Sequence, residues 1–300
     1  MEFSKKALSI SDQILLLKER GLSFESNFDA ERYLHHISYY RLSAYFYTFL
    51  EKPQKEHRFR EGATFGKVID TYVFDRKLKL LLFDEIERIE IALRTQLIFH
   101  FCRQFGNNWY ENKALYKSPD QYYKFQTLLM NEMNRSSEVF IRHYKETYTN
   151  PPNPPAWMTL ELASFGQLSL LYKNLKNCDA RKAIADHFGV HENILASWLE
   201  SLSFTRNVCA HHMRLWNRKL PKAPIIPTHT MHGFIEHLPP EDKRNRIYIN
   251  LVIIRYLLQI IVPKSSFSQK VKGLMECYPD IPISFMGFPE KWRQEKIWQS

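Results

Sequence analysis

Apolar residues recur at helical spacing along most of the chain. Residues three or four apart share one face of an α-helix, and no segment shows the strong alternation of a half-buried strand. The longest stretch, 64–105, has no proline and one early glycine, so it predicts one long helix or two nearly continuous ones. Its apolar positions are Ile69, Tyr72, Val73, Leu80, Phe83, Ile86, Ile89, Leu93 and Leu97. The pattern predicts an all-α protein.

Seven further helices are predicted between loop signals. The first begins after a capping residue at Ser11 or Asp12 and stops at Gly21. The charged stretch 51–62 predicts a loop, and the proline run 151–155 predicts a rigid extended connector, because proline lacks an N–H and restricts the residue before it. The predicted helices are 13–20, 29–49, 121–148, 159–175, 179–188, 193–213 and 242–261.

Three segments are therefore expected along the chain. Residues 1–62 form an N-terminal helical extension, and residues 63–263 form a helical core. Residues 264–300 form an irregular C-terminal tail that packs on the core. A length of 300 residues is enough for a substantial hydrophobic interior.

Composition narrows the possible functions. Only 9 of 300 residues are glycine, which argues against a glycine-rich phosphate loop and an all-β barrel. The formal charge of +10 suggests polyanionic partners without proving them. Neither a signal-peptide core nor a membrane-spanning stretch is expected. Four scattered cysteines without close spacing indicate a reduced, cytoplasmic protein rather than a disulfide scaffold.

The segment 199–214 carries the most informative polar residues. On a helix at about 100° per residue, one side forms a core stripe and the opposite side faces solvent. Asn207 and His211 each lie within about 20° of Glu200 on the solvent side. Arg206 lies about 140° round from His211, so it joins them only through its long side chain, a local distortion or a partner subunit. The core stripe consists of Trp198, Leu202, Thr205 and Cys209.

Arg206, Asn207 and His211 are suitable groups for phosphodiester chemistry without a metal. An imidazole moves protons near neutral pH. A guanidinium pairs with phosphate in bidentate fashion and stabilises its growing charge, while an amide orients either group. Because an Arg and a His at this spacing occur by chance in many helices, the residues alone also allow a structural histidine.

The string RNVCAHHMRLWN at 206–217 resembles the signature of the Abi-like family of bacterial abortive-infection proteins, of AbiD/AbiF type. Its first six residues match the R-N-x3-H form of a motif found in HEPN ribonucleases. Further elements resemble the family in the same order along the chain. They are DQILLLKERGL at 12–22, ISYYRLSAY at 37–45, FDRKL at 74–78, IEIALRT at 89–95, PAWMTLE at 155–161, SFG at 164–166, and MGFP at 286–289 followed by Trp292.

The resemblance implies a HEPN-like helical bundle and a toxin-like role in antiphage defence. HEPN nucleases cut RNA without a metal or other cofactor, and two motifs face each other across a two-fold cleft. This chain has one such motif, so the resemblance implies a homodimer. The residues implied as catalytic are Arg206, Asn207 and His211.

Other residues are expected to support this site or to bind RNA. Glu200 and His212 are candidate supporting residues, although Glu200 is equally well explained as a solvated charge. No metal site is expected, because the histidines at 187/191 and 229/232/237 lack carboxylate or cysteine ligands at a suitable spacing. Core packing is favoured over base stacking for Tyr39, Tyr40, Tyr45 and Phe46. The candidate phosphate contacts are Arg41, Arg214, Arg218 and Lys219.

Two alternatives to a ribonuclease remain. The chain could be a non-catalytic HEPN scaffold that holds a structured small RNA or a partner protein. It could also be a helical interaction protein in which the motif is incidental. The intact set of Arg206, Asn207 and His211 favours the enzyme, because a scaffold needs none of their combined chemistry.

Overall fold

The computed structural model describes residues 6–51 and 57–299. Within these ranges every regular element is a helix, which confirms the all-α class, and three isolated β-bridges are the only strand-like pairings. Residues 52–56 of the predicted loop lie outside the described residues. The α-helices are α1 Ile10–Glu19, α2 Asn27–Ile37, α3 Tyr39–Phe46, α4 Phe65–Phe105, α5 Pro119–Arg135, α6 Val139–Thr147, α7 Ala156–Thr159, α8 Phe165–Asn174, α9 Asp179–His187, α10 Glu192–Ala210, α11 Ile247–Ile261, α12 Phe267–Cys277 and α13 Lys296–Gln299.

The chain divides into two compact units. Unit 1 comprises Met1–Lys79 and Leu274–Ile281, and unit 2 comprises Leu80–Gly273 and Pro282–Ser300. Helices α4 and α12 therefore contribute residues to both units. The motif helix α10 belongs to unit 2.

In unit 1, the observed helix boundaries differ from the predicted ones at two places. Helix α1 begins earlier than predicted, because the Ser9 side chain, not that of Ser11 or Asp12, caps it by accepting from the backbone N–H of Asp12 at 3.1 Å. The predicted helix 29–49 is split into α2 and α3 at Ser38, whose φ of 68° interrupts the helical backbone.

Aromatic residues of α3 differ in their surroundings. Tyr45 is buried, and its hydroxyl donates to the Asp75 carboxylate at 2.6 Å. Lys79 pairs with the same carboxylate at 3.1 Å. Phe46 is buried as predicted, whereas the prediction of core packing is wrong for Tyr40, which is 88% exposed.

Serine residues also set boundaries in unit 2. The predicted helix 121–148 consists of α5 and α6, with the extended residue Ser136 after α5. The predicted helix 159–175 begins later, at α8, because the extended residue Ser164 caps it. Its side chain accepts from the Gln167 N–H, and the Gln167 side chain accepts from the Ser164 N–H at 2.6 Å. This reciprocal pair satisfies two N–H groups at the start of α8.

The C-terminal region is more regular than predicted. Residues 267–277 form α12, which replaces part of the irregular tail. Helix α13 packs against α11, and the Arg255 Nε donates to the Ile297 carbonyl at 3.2 Å. Gly287 has a φ of 89°, and a side chain there would approach the Arg246 Cβ and the Lys243 carbonyl at 3.0 Å. A glycine is therefore required in this part of the MGFP element.

The interior of unit 2 surrounds α10. Helices α8, α9 and α11 pack against it. A Cβ at Gly166 of α8 would lie 3.4 Å from the Ser203 Oγ of α10, so these two helices approach closely at small residues. Nearly all of α11 is buried, from Ile247 to Leu258. No helix in the described ranges has the length and apolar character to span a membrane.

Candidate functional site

Helix α10 carries the motif on its last turns. It ends at Ala210 and makes His211 the C-cap, whereas the sequence predicted a helix to Met213. The predicted core stripe is confirmed by burial. Its four members are Trp198, Leu202, Thr205 and Cys209.

A Schellman motif closes the C-terminal end of α10. His212 adopts the left-handed conformation with a φ of 53°. The Met213 N–H bonds to the Val208 carbonyl at 3.0 Å, and the His212 N–H bonds to the Cys209 carbonyl at 3.1 Å. These are the two crossed bonds that define the motif. They hold the backbone of His211 in a fixed position at an exposed helix end.

Asn207 and His211 are both exposed on the solvent side of α10, as predicted. The His211 backbone N–H donates to the Asn207 carbonyl at 3.0 Å. Within residues 6–51 and 57–299, neither side chain has a hydrogen-bond or ion-pair partner. Both are therefore available to a ligand.

Arg206 faces α4 instead. Its Cζ lies 5.6 Å from the centroid of the Phe83 ring, and it lines a depression of about 440 Å³. Among the described residues, no hydrogen bond or ion pair joins Arg206 to Asn207 or to His211. One chain therefore keeps Arg206 and His211 on different sides of α10. The other lining residues are Glu87, Glu90, Ile91, Arg94 and Glu161.

Arg94 builds the wall of this depression. Its guanidinium donates to the carbonyls of Leu160 and Ala163, both at 3.0 Å, and to the Glu90 carboxylate at 2.9 Å. The Glu90–Arg94 ion pair lies within α4 and is partly buried. The hydrogen bonds from Arg94 to the two carbonyls tie α4 to the connection between α7 and α8.

Glu200 lies away from His211. Eleven residues separate the two, which corresponds to about 16 Å along the helix axis. The Glu200 carboxylate instead pairs with the Lys173 Nζ at 2.9 Å and with the Lys222 Nζ at 3.8 Å. The structure does not bring Glu200 together with Asn207 and His211.

The candidate RNA contacts lie in different places. Arg218 is partly buried, and its Nη1 donates to the carbonyl of Arg214 at 3.0 Å. Lys219 is exposed beside them. Arg41 is exposed on unit 1. Arg214, Arg218 and Lys219 thus form one basic segment of unit 2, at the end of the motif string and directly after it.

Asn217, the last residue of the motif string, anchors this segment. The Arg246 Nη1 donates to both the backbone carbonyl and the side-chain oxygen of Asn217, each at 2.7 Å. Burial, and after it the charge of Arg214, lowers the pKa of Arg246.

Asn250 is a positioning residue that the sequence reasoning missed. It is fully buried in α11 and makes three hydrogen bonds to α10. Its Oδ1 accepts from the Ser201 Oγ at 2.8 Å, and its Nδ2 donates to the Thr205 Oγ1 at 2.7 Å and to the Ser201 carbonyl at 3.3 Å. The available signal was the single asparagine within the apolar run 247–262. Its side chain fixes the helix turn that precedes Arg206.

Phe204 is a second residue that the sequence reasoning missed. It lies three residues before Asn207 and seven before His211, so it shares their side of α10. The Arg218 Cζ lies 5.8 Å from its ring centroid. Its helical position was the signal that could have identified it.

The described residues contain no group of three or more His, Cys, Asp and Glu side chains placed to hold a metal ion.

A family model described as Abi-like protein matches residues 32–217, which run from α2 to the end of the motif string. The chain belongs to the Abi-like protein family. This membership implies a role in abortive infection, a form of defence. No curated protein and no solved structure matches the chain.

Proposed function

We propose that this Abi-like protein is a metal-independent endoribonuclease with a HEPN-type site that acts in antiphage defence. The observation that carries the proposal is the side of α10 that bears Asn207 and His211. Both side chains are exposed and have no partner among the described residues, whereas the buried Ser201 and Thr205 hydroxyls of the same helix are hydrogen-bonded. The exposed pair thus has no structural role that would explain it.

The proposed reaction uses the 2′-hydroxyl of the RNA as the nucleophile. His211 removes the proton of this hydroxyl or protonates the leaving 5′-oxygen. Arg206 stabilises the charge of the pentacoordinate transition state, and Asn207 positions the reacting groups. The products are a 2′,3′-cyclic phosphate and a 5′-hydroxyl. The adjacent basic residues Arg214 and Lys219 contact flanking phosphates.

The arrangement of Arg206 supports a composite site in a homodimer. Because Arg206 and His211 lie on different sides of one α10, a cleft between two copies would combine Arg206 of one protomer with His211 of the partner subunit. A closed two-fold dimer is the commonest oligomer.

Mixed dimers test this site directly. Wild type should degrade RNA in the presence of EDTA, and the single variants Arg206→Ala and His211→Ala should not. When the two variants are mixed after dissociation and reassociation, one chain supplies Arg206 and the other supplies His211, so cleavage should return. Cleavage that persists in both single variants contradicts the catalytic assignment. Inactive mixtures with proven subunit exchange contradict the composite site alone.

A non-catalytic RNA-binding scaffold is the second candidate. The observation in its favour is that Arg206 contacts Phe83 and faces α4, away from His211. A scaffold would co-purify with a defined small RNA and would leave cellular RNA intact on expression. Growth arrest and RNA loss that disappear in His211→Ala would favour the enzyme.

A further inference from the structure

We propose that a pocket beside the exposed side of α10 binds a guanine base and gives the RNA cleavage its sequence preference. This inference rests on the proposed function, because it assigns RNA as the ligand. It concerns a pocket that none of the catalytic residues lines.

The pocket has apolar walls. It occupies about 170 Å³ between the middle of α10 and the segment 220–224. The Phe204 ring forms one wall, and Pro221 and Pro224 are part of the other. Bases that are splayed out of an RNA strand stack on aromatic side chains, so these walls suit a planar ring. The other apolar lining residues are Leu220 and Ala223.

The polar groups that line the pocket are two serine hydroxyls, the Lys222 ammonium and the Glu200 carboxylate. The Ser201 Oγ donates to Asn250, and the Ser197 Oγ accepts from the Ile225 N–H at 3.0 Å, so each hydroxyl already has one partner within the protein. Glu200 supplies the single carboxylate of the lining. The Lys173 Nζ donates to both oxygens of that carboxylate, at 2.9 and 3.0 Å, and the Lys222 Nζ lies 3.8 Å from Oε2. Each carboxylate oxygen keeps a further lone pair for a ligand.

A carboxylate that only accepts hydrogen bonds selects among the four bases. Guanine presents two adjacent donors, N1–H and the N2 amine, which match the two oxygens of Glu200. Adenine and cytosine each place a ring-nitrogen acceptor beside their amine, and uracil flanks its N3–H with two carbonyls. The chemistry of the pocket therefore favours guanine.

The pocket lies on the same side of α10 as Asn207 and His211. Phe204 precedes Asn207 by about 4.5 Å and His211 by about 10 Å along the helix axis. The Arg218 Cζ lies 5.8 Å from the Phe204 ring centroid, and the next residue, Lys219, is exposed. A nucleotide bound here would have the cationic Arg218 side chain beside it and would lie on the same side of α10 as His211, the proposed general acid or base.

Binding to uncleaved RNA tests the pocket. We would use the His211→Ala protein and measure its affinity for short single-stranded oligouridylates with one central guanosine, inosine, adenosine or cytidine. The guanosine oligonucleotide should bind about 10-fold more tightly than the adenosine one. Inosine lacks the N2 amine and should fall between them.

Variants of the pocket should remove this preference. Glu200→Gln in the same background should reduce the discrimination between guanosine and adenosine to less than about 3-fold. Phe204→Ala should weaken the binding of every oligonucleotide. Phe204→Leu, which keeps most of the side-chain volume but removes the ring, should do the same. Matched controls are Asp186→Asn, an exposed carboxylate paired with Lys182, and Phe99→Ala, an exposed ring under Arg103.

The outcomes separate this inference from the proposed function. Equal affinity for all oligonucleotides, no measurable binding, or no effect of Glu200→Gln would overturn the guanine pocket. If wild type cleaves RNA without a guanine preference, the pocket assignment fails while the ribonuclease stands. If guanine is preferred in binding but wild type never cleaves, the pocket stands and the enzyme assignment fails.

Discussion

The polar residues on the buried and exposed sides of α10 differ in their side-chain hydrogen bonding. On the buried side, Thr205 and Ser201 are joined to Asn250 by a closed set of hydrogen bonds. On the exposed side, Asn207 and His211 have no side-chain partner among the described residues. Buried polar groups must be hydrogen-bonded for the fold to be stable, whereas exposed groups carry no such requirement. The difference therefore separates residues that hold the helix from residues available for chemistry.

The largest effect is expected on activity, from the exposed side. His211→Ala should lower the rate of RNA cleavage by about 10²- to 10⁴-fold, because a general acid or base contributes that much. Its free energy of unfolding should change by no more than about 0.5 kcal/mol, as for other exposed positions. Cleavage kinetics and urea unfolding measure the two effects. A variant that loses activity and stability together would contradict this separation between residues that hold the helix and residues available for chemistry.

The buried side should show the reverse effect. Asn250→Ala should lower the free energy of unfolding by about 2–4 kcal/mol, because it leaves two buried hydroxyls and a buried carbonyl short of a partner and opens a cavity. The matched control is Asn207→Ala, which removes the same side chain from the exposed side and should change stability by about 0.5 kcal/mol at most. Equal unfolding midpoints for the two variants would contradict the comparison.

The end of α10 allows a smaller, backbone-based test. His212 has a positive φ, which a residue with a Cβ adopts at a cost of about 1 kcal/mol and glycine adopts freely. Both His212→Gly and His212→Ala lose the imidazole, so their difference isolates the backbone. The glycine variant should be more stable by about 1 kcal/mol in thermal unfolding. A more stable alanine variant would show that the end of α10 does not need the left-handed residue.

The smallest effect is expected at the rim of the pocket. Lys173→Ala removes an ion pair with Glu200 whose partners are both more than one-third exposed. Solvent screens such pairs, so the change in unfolding free energy should lie between about 0 and 0.5 kcal/mol. A loss comparable to that of Asn250→Ala would mean that the exposed side also stabilises the fold. Urea unfolding of both variants at the same ionic strength provides the comparison.

The periodicity of the sequence predicted the helices and the two sides of α10, because burial follows the helical repeat. It did not predict the break at Ser38 or the start of α8 at Ser164, since both depend on local backbone geometry and capping. The elements of the family resemblance have structural roles in several places. Arg94 of the IEIALRT element, for example, donates hydrogen bonds to the carbonyls of Leu160 and Ala163. These bonds connect it to the PAWMTLE element and the residues that follow that element.

The site itself was only partly predictable. The exposed positions of Asn207 and His211 follow from their spacing on the helix. Asn250 could not be assigned, because its role depends on how α11 is aligned against α10. The contact between Arg206 and Phe83 likewise requires two segments more than one hundred residues apart to meet, which helical periodicity does not encode.

Helix ends commonly fray, and a reactive side chain at a frayed end would move with the backbone. The crossed bonds from His212 and Met213 prevent this at the end of α10. The imidazole of His211 is thus left with rotation about its own two torsions, a motion of picoseconds to nanoseconds, while its Cα stays with the helix. Slow amide hydrogen exchange at Met213, compared with that at the exposed Lys219, would record this restriction.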